Sequence, residues 1–578
     1  MKNTHTSLAI ILFFILSSCS APKPENMDSI VMNHIVNEPD NLHPTNGLSS
    51  LRTELFTYSQ IYLITVNPEN NEIMPWLAES LPVFNETTNE FAFKLRKDIT
   101  WDNGDTVTAN DVLFTFKVNK NKLTNNTHAK PFLDNIINID VINNHEMKIK
   151  VKKKQVINLY IFSDYNILQE KFYDSAKVFK SITLQDIDSP DFNETKYPLL
   201  KKWSDVFNGQ DYSYNPAYFN GAGPYKIVAW QRDQFIRLEK KKNHWTKDTT
   251  KFFECAFPQQ LVFKLNKSVN SYSSEIEKQG FDISNNIDYR FFKLLQAKES
   301  FNTNYYSDII DTYNYSYIGM NMKPNGTTHP YFFDNLDVRK AIALATPVDD
   351  LNKILNNSTS KRITTPVAPM KKEHNGALPL ISYDLKKAKQ LLEQAGWKDT
   401  DNDNILDKQI NGQKINFEFD FNYLTISDFY KDAAVIIADS YKKIGIIATL
   451  KPYDLPTFYE KASQHDFDMI LAAWTGANTP DDFSQVWKST EWANNGSNFV
   501  GFGNKFYDQI IDSINTTINE NDHSFLVKKM QEIIYEEQPY VFLFLQTKRI
   551  ICHKKYIKPV FHNSTPAILL NKLRLKSK

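Results

Sequence analysis

Strands and helices alternate along the second half of the chain, and this alternation constrains the fold more than any other feature of the sequence. Apolar and polar residues alternate from Ile415 to Asn422, which predicts a strand buried on one side. The pattern continues with a helix at 431–443, a strand at 446–450, a helix at 456–463, a strand at 467–474, a helix at 523–536 and a strand at 540–545. Such alternation is typical of crossover units, so we expect an α/β fold with a largely parallel sheet.

Helix starts and stops support the same class of fold. Asp384 precedes a segment whose apolar residues share one helical face, and Gly396 ends it. Thr108 and Asp111 have the spacing of a helix-capping pair. The first 270 residues look richer in strands, with the segment Lys148–Lys152 alternating as a half-exposed strand.

The N-terminus indicates export. An apolar run, Leu8–Leu16, has the length of a signal-peptide core and is too short to span a bilayer. Small residues followed by Cys19 resemble a bacterial lipobox, so we expect a signal peptide at 1–18, lipidation of Cys19 and a polar tether at 19–29. The alternative is an ordinary signal peptide with a chance cysteine.

Composition and missing motifs exclude several functions. Lys plus Arg and Asp plus Glu number 67 each, which disfavours a nucleic-acid-binding surface. The chain has neither a phosphate-binding Gly-rich loop, nor a nucleophile elbow, nor a zinc-binding His-Glu-x-x-His, so we expect no catalysis, no cofactor and no metal. The run Asp399–Asp403 resembles the start of a calcium loop, but Asn404 and Ile410 occupy positions that need Gly and Glu. We interpret it as a polar turn, with weak calcium binding as the alternative.

A series of motifs, in a fixed order, resembles one known family. The motifs are Pro75–Ser80, Phe91–Arg96, Trp101–Val112, Gly221–Tyr225, Asn243–Trp245, Val338–Ala341, Tyr383–Trp397 and Phe467–Trp474. Together they resemble the extracellular solute-binding proteins of family 5, which serve oligopeptide, dipeptide and nickel ABC importers. The resemblance runs from about Ile30 to Val560.

The resemblance implies a large periplasmic-binding-protein fold of the class II type, with two α/β lobes joined by two crossing strands. It predicts lobe 1 at 30–266 with a β-rich insertion at about 70–200, lobe 2 at 267–546, and a return to lobe 1 at 547–578. The crossings are expected at Leu261–Asn266 and Thr547–Ile550. Cys255 and Cys552 would then lie near each other and could form a disulfide; the alternative is two isolated buried thiols.

The resemblance also implies a ligand site between the lobes. On lobe 1 we expect the loop Glu38–Pro44 and the residues after it, Thr45, Asn46 and Gly47; His43 stands where the family pattern has Asp. On lobe 2 we expect Trp474, Thr475, Gly476, Ala477 and Asn478, with Tyr317 and Asn321 preceding a loop that faces the cleft.

One position departs from peptide-binding relatives. They carry an Asp that pairs with the ammonium of the ligand, and Ala477 occupies that position here. Either a nearby acid, Asp481 or Asp482, replaces the anchor, or the ligand has no free α-amine.

These features predict a monomeric lipoprotein of the bacterial cell envelope, facing the periplasm. It would close over a peptide, partner the permease of an ABC importer, contact the membrane through Cys19 and bind no nucleic acid. The alternatives are a non-peptide cargo, such as a metal chelate or glycan, and a secreted enzyme, sensor or adhesion protein.

Overall fold

The computed structural model describes residues 30–576 apart from 48, 127–132, 243, 247–250, 324–329, 411 and 495. The predicted signal peptide, Cys19 and the tether therefore lie outside the described residues. Among those described, no helix combines the length and the apolar character that crossing a bilayer requires.

The strands of the described residues are numbered in chain order. They are β1 (Ile30–Ile35), β2 (Ile64–Val66), β3 (Ile73–Pro75), β4 (Val83–Asn85), β5 (Glu90–Lys94), β6 (Ile136–Asn143), β7 (Glu146–Val151), β8 (Tyr225–Gln231), β9 (Phe235–Lys240), β10 (Gln260–Leu265), β11 (Ile283–Ser284), β12 (Tyr305–Met320), β13 (Asp407–Ile410), β14 (Gln413–Asn416), β15 (Glu418–Leu424), β16 (Ile447–Tyr453), β17 (Met469–Trp474) and β18 (Tyr540–His553).

The α-helices of the described residues are numbered in the same way. They are α1 (Ser50–Ser59), α2 (Ala109–Lys120), α3 (Ile157–Asp164), α4 (Glu170–Tyr173), α5 (Leu184–Asp188), α6 (Pro198–Phe207), α7 (Gln210–Tyr214), α8 (Val269–Glu277), α9 (Tyr289–Gln296), α10 (Glu299–Asn304), α11 (Leu336–Ala345), α12 (Val348–Asn356), α13 (Leu385–Gln394), α14 (Asp428–Lys442), α15 (Leu455–Ser463), α16 (Ser484–Trp487), α17 (Lys505–Thr516) and α18 (Glu520–Glu537).

Short 3-10 helices complete the described elements: Val178–Ser181, Pro216–Tyr218, Phe252–Glu254, Ser489–Trp492 and Leu570–Lys572.

A ten-stranded sheet runs through the molecule in the order β16-β15-β17-β12-β18-β11-β1-β10-β9-β8. Strand β15 pairs in parallel with both β16 and β17, and α14 and α15 make the crossovers. The predicted crossover units are therefore present. The neighbouring strands β12 and β18 are antiparallel, so the sheet as a whole is mixed.

Strands β12 and β18 carry the chain between the two halves of this sheet. Residues 305–311 of β12 pair with 547–553 of β18, and residues 315–319 pair with 540–545. The part of β18 in the first of these pairings also pairs with β11, and the part of β12 in the second also pairs with β17. The predicted first crossing at Leu261–Asn266 is wrong. Strand β10 pairs with β1 and β9, and both of these strands belong to the half of the sheet that ends at β8. Helices α8–α10 add to that side before the chain leaves it.

We call lobe 1 the part built on β1 and β8–β11, and lobe 2 the part built on β15–β17 with the adjoining halves of β12 and β18. Lobe 2 has one large apolar core. Lobe 1 carries an insertion in which β4, β5, β7 and β6 form a separate sheet over their own core. Helices α2, α5 and α6 enclose a further core beside it.

Two of the motifs are explained by local structure. The Asp111 carboxylate accepts hydrogen bonds from the backbone N–H groups of Thr108 and Glu170, each at 2.9 Å, so it caps α2 and fixes the start of α4. A Cβ on Gly221 would lie 2.1 Å from the carbonyl oxygen of Ser59, so only glycine fits where this turn meets α1. Both residues thus have a structural role in the fold.

The two described cysteines do not form a disulfide with each other. Both thiols are buried: Cys255 donates to the carbonyl oxygen of Lys251 at 3.5 Å, and Cys552 lies on β18, opposite Ile283 of β11. Their separate packing is that of two isolated buried thiols, the alternative to the pairing. Burial raises the pKa of the Cys552 thiol to about 12, so it stays protonated at neutral pH.

Candidate functional site

His43 organises the loop on lobe 1 that the sequence predicts as one wall of the site. Its Nδ1 accepts from the backbone N–H groups of Thr45 and Asn46, each at 3.2 Å, and its Nε2 donates to the carbonyl oxygen of Phe207 at 2.7 Å. Because Nδ1 accepts, we assign the proton to Nε2. The imidazole thus supplies the acceptor that the Asp of the family pattern would offer to the turn.

Arg52 packs beneath the same loop. Its Nε donates to the carbonyl oxygen of His43 at 3.0 Å, and its guanidinium carbon lies 4.1 Å from the ring centre of Phe56. A Cβ on Gly47 would lie 2.6 Å from Cδ of Arg52, which leaves room only for glycine. Burial lowers the pKa of Arg52 to about 10, so it remains a cation at neutral pH.

We expect His43 to make the protein sensitive to acid. Burial lowers the pKa of His43 to about 4 in the folded protein, against 6.5 ordinarily. The unfolded chain therefore takes up a proton that the folded one does not, and stability falls as the pH drops from about 6.5 to about 4, by about 3 kcal/mol.

Urea unfolding of the wild type and of His43→Asn across this pH range tests the expectation. Asparagine offers an acceptor without titrating, so its free energy of unfolding should change less with pH. Parallel curves for the two proteins would contradict it.

Aromatic rings form a layer on lobe 2. The Trp474 ring lies parallel to Tyr317, with ring centres 6.0 Å apart, and nearly parallel to Phe499 at 5.8 Å. Tyr317 in turn stacks on Tyr540 at 4.0 Å. Trp474 is half-buried, so this layer supports it from within the lobe.

Tyr317 and Asn321 do not face the cleft. Tyr317 is buried in the aromatic layer. The Asn321 side-chain amide donates to the carbonyl oxygens of His465 and Phe467, at 3.1 and 2.8 Å. The predicted role of these residues at the cleft is therefore wrong, because packing turns both side chains into the core of lobe 2.

A cavity of about 110 Å³ opens where β12 meets the turn after β17. Its lining includes Tyr313, Tyr315, Lys371, Trp474, Thr475, Gly476, Asp481 and Asp482. The structure thus brings together four of the residues that the sequence predicts, Trp474, Thr475, Gly476 and Asp481. Ala477 is exposed beside them.

Lys371 neutralises Asp481 inside this cavity. Its Nζ lies 2.5 Å from Oδ1 of Asp481 and donates to the carbonyl oxygen of Thr479 at 2.9 Å. Burial raises the pKa of Asp481, and Lys371 opposes that rise. The neighbouring Asp482 accepts from the backbone N–H of Ser484 at 2.8 Å. Asp481 is thus paired with a cation of its own lobe, and Asp482 with a backbone amide.

Hydrogen bonds join the lobes beside the cavity. The Asn478 side-chain amide donates to Oδ1 of Asn71 at 2.9 Å, and Asn71 Nδ2 donates to the hydroxyl of Tyr313 at 3.2 Å. Asn71 lies between β2 and β3 on lobe 1, with a φ of 62°. The backbone N–H of Val156, also on lobe 1, donates to the carbonyl oxygen of Asn515 at 2.9 Å. The lobes are therefore in contact, as in a closed state.

Sequence reasoning missed Lys371, Tyr313 and Asn71. The alternation of Tyr313, Tyr315 and Tyr317 with polar residues was a signal for a half-buried strand face. Lys371 adjoins another lysine, and Asn71 lies in a polar turn, so neither carries a signal in the sequence alone.

Two α/β lobes that meet beside an aromatic cavity are the arrangement of a binding protein that closes over a solute. A family model described as "Bacterial extracellular solute-binding proteins, family 5 Middle" matches residues 72–496, and the chain belongs to this family. It is thus a transport protein and not an enzyme.

Similar proteins cover nearly the whole chain. The oligopeptide-binding protein AppA of Bacillus subtilis is 24% identical over 562 residues, which span 93% of this chain and 92% of AppA. The structure of that protein with a nonapeptide matches with a TM-score of 0.76 at 20% identity, over 95% of this chain and 99% of that one. NikZ from Campylobacter jejuni in complex with Ni(L-His) matches with a TM-score of 0.71 at 20% identity, over 92% and 95% of the two chains.

Proposed function

We propose that this protein captures peptides between its lobes and delivers them to the permease of an ABC importer. One observation carries the proposal: the turn at 474–478 lines the cavity with its first three residues and bonds the opposite lobe through Asn478. A ligand in the cavity touches the segment that joins the lobes, so binding and closure are coupled. The peptide-binding relative supports peptides as the cargo.

We further propose that the mature protein is a monomer held at the membrane by a lipid on Cys19 and faces the periplasm. The apolar run and the small residues before Cys19 support this anchor. Globomycin, which blocks lipoprotein signal-peptide processing, should then cause the precursor to accumulate.

A non-peptide cargo is the second candidate. Ala477 takes the place of the anchoring Asp, and Lys371 already neutralises Asp481, so lobe 2 offers no uncompensated carboxylate at this turn. A relative in complex with Ni(L-His) shows that the same fold holds a metal chelate.

Thermal unfolding of the purified mature chain tests these candidates. We expect di- to pentapeptides to raise its melting temperature, because a ligand at 100 times its Kd stabilises the folded state by about 2.7 kcal/mol. The same measurement is made with histidine plus nickel and with glycans, for comparison with the peptides. A rise with the chelate or a glycan, and none with any peptide, would favour the second candidate.

A further inference from the structure

Lobe 1 presents a carboxylate at the contact between the lobes. Asp164 is the last residue of α3 and is exposed. Among the described residues, it forms no ion pair with a basic side chain. Surrounding protein nevertheless strips water from it and raises its pKa to about 7. Its carboxyl is therefore harder to ionise than that of an ordinary surface acid.

The start of α3 lies at the contact with lobe 2. Val156, just before α3, bonds Asn515 of lobe 2. Tyr160 lies close enough to Lys372, Glu373 and Glu520 of lobe 2 for their charges to affect its pKa, although burial is the larger cause of its rise. Because residues four apart share one helical face, Asp164 faces the same way as Tyr160, one turn further along.

Asp164 also neighbours the wall of the site on lobe 1. Burial is the main cause of the raised pKa of Tyr62. The charge of Arg52 opposes this rise and the charge of Asp164 adds to it, so Tyr62 lies near both charges. Arg52 holds the loop that contains Thr45–Gly47. The backbone N–H of Ile167, three residues after Asp164, donates to the carbonyl oxygen of Ile61 at 2.9 Å, which places Asp164 near Tyr62 and on the same lobe as this loop.

The end of a helix is an unfavourable place for an acid. The carbonyl groups of the last turn carry partial negative charge, which repels a carboxylate and attracts a cation. A cation beside Asp164 would relieve both the repulsion and the desolvation, and the described residues supply none.

We propose that Asp164 binds a cationic group of the cargo from lobe 1, in place of the acid that Ala477 lacks on lobe 2. This inference rests on the proposed peptide capture. It assigns the cargo to peptides with a positive charge near this point, carried by the α-ammonium or by a lysine side chain. A charge-assisted hydrogen bond between ammonium and carboxylate would give the preference.

Calorimetry with three synthetic peptides tests the proposal: Ala-Ala-Ala, N-acetyl-Ala-Ala-Ala and N-acetyl-Ala-Lys-Ala. We expect the wild type to bind at least one charged peptide about tenfold or more tightly than N-acetyl-Ala-Ala-Ala. The free tripeptide identifies the α-ammonium as the bound group, and the lysine peptide identifies the side chain. Asp164→Asn should abolish this preference while leaving the neutral peptide's Kd unchanged.

Two further variants sharpen the result. Asp191→Asn removes another exposed acid of lobe 1 and should keep the preference. Asp164→Asn combined with Ala477→Asp moves the carboxylate to the opposite lobe and should regain it for the free tripeptide. Circular dichroism confirms that each variant folds.

The outcomes separate this proposal from the proposed function. Equal binding of all three peptides by the wild type, or a preference that survives in Asp164→Asn, would overturn the anchor but leave peptide capture intact. Binding of none of the peptides by the wild type would overturn both.

Discussion

Gly476→Ala is expected to open the contact between the lobes and weaken ligand binding by about tenfold or more. A Cβ at this position would lie 2.4 Å from the carbonyl oxygen of Tyr313 and 2.8 Å from its Cβ. Neither atom can rotate away, so the turn must move off β12. That shift breaks the bond from the Gly476 N–H to Oδ1 of Asn314, now 3.1 Å, and displaces Asn478 from Asn71. Overpacking of this kind costs about 1–3 kcal/mol, and each 1.4 kcal/mol is about tenfold in affinity.

Small-angle X-ray scattering and calorimetry measure the two effects. The variant should have a larger radius of gyration than the wild type and a weaker Kd for any peptide that stabilises the wild type. Gly376→Ala is the matched control, because its added Cβ would meet only a His374 ring carbon at 3.9 Å. An unchanged radius and Kd in Gly476→Ala would contradict the role of this turn.

Lys371→Met is expected to destabilise lobe 2 by about 3 kcal/mol, because it leaves Asp481 without its partner in a half-open cavity. The side chains of Lys371 and Asp481 are 8% and 27% exposed, so water replaces the lost ion pair only in part. The carbonyl oxygen of Thr479 also loses its donor. Urea unfolding measures the loss.

Removing both charges separates this effect from simple loss of packing. Lys371→Met combined with Asp481→Leu should recover more than half of the lost stability, since no charge then remains buried. Lys372→Met, at an exposed neighbouring position, is the matched control. Because burial raises the pKa of Asp481, the deficit of the single variant should shrink as the pH is lowered and the carboxyl becomes neutral. An equal deficit in single and double variants would contradict the ion-pair account.

Several elements follow from local sequence patterns. The predicted strand at 467–474 is β17 (Met469–Trp474), and the predicted helix at 456–463 is α15 (Leu455–Ser463). Asp384 caps α13 by accepting from the backbone N–H of Lys387 at 2.9 Å, as its spacing indicates. These features depend on residues within a few positions of one another, so they can be recognised in the chain itself.

The crossing between the lobes is different in kind. Strands β12 and β18 are in contact although they lie far apart in the chain. Thr312 donates to the carbonyl oxygen of Gln546, 234 positions away, at 2.9 Å. The alternation of residues in the sequence predicts a strand at β12, but it does not predict which strand β12 pairs with. The sequence therefore predicts the crossing at the earlier strand β10, whereas β12 makes it.

The sequence by itself determined the family, the α/β class and the turn at 474–478, because short-range patterns and ordered motifs encode them. Only the tertiary structure decided which side chains meet at the site. It buried Tyr317 and Asn321, joined Lys371 to Asp481 and brought Asn71 to Asn478. The physical reason is that burial and pairing depend on neighbours that are close in space but distant in the chain.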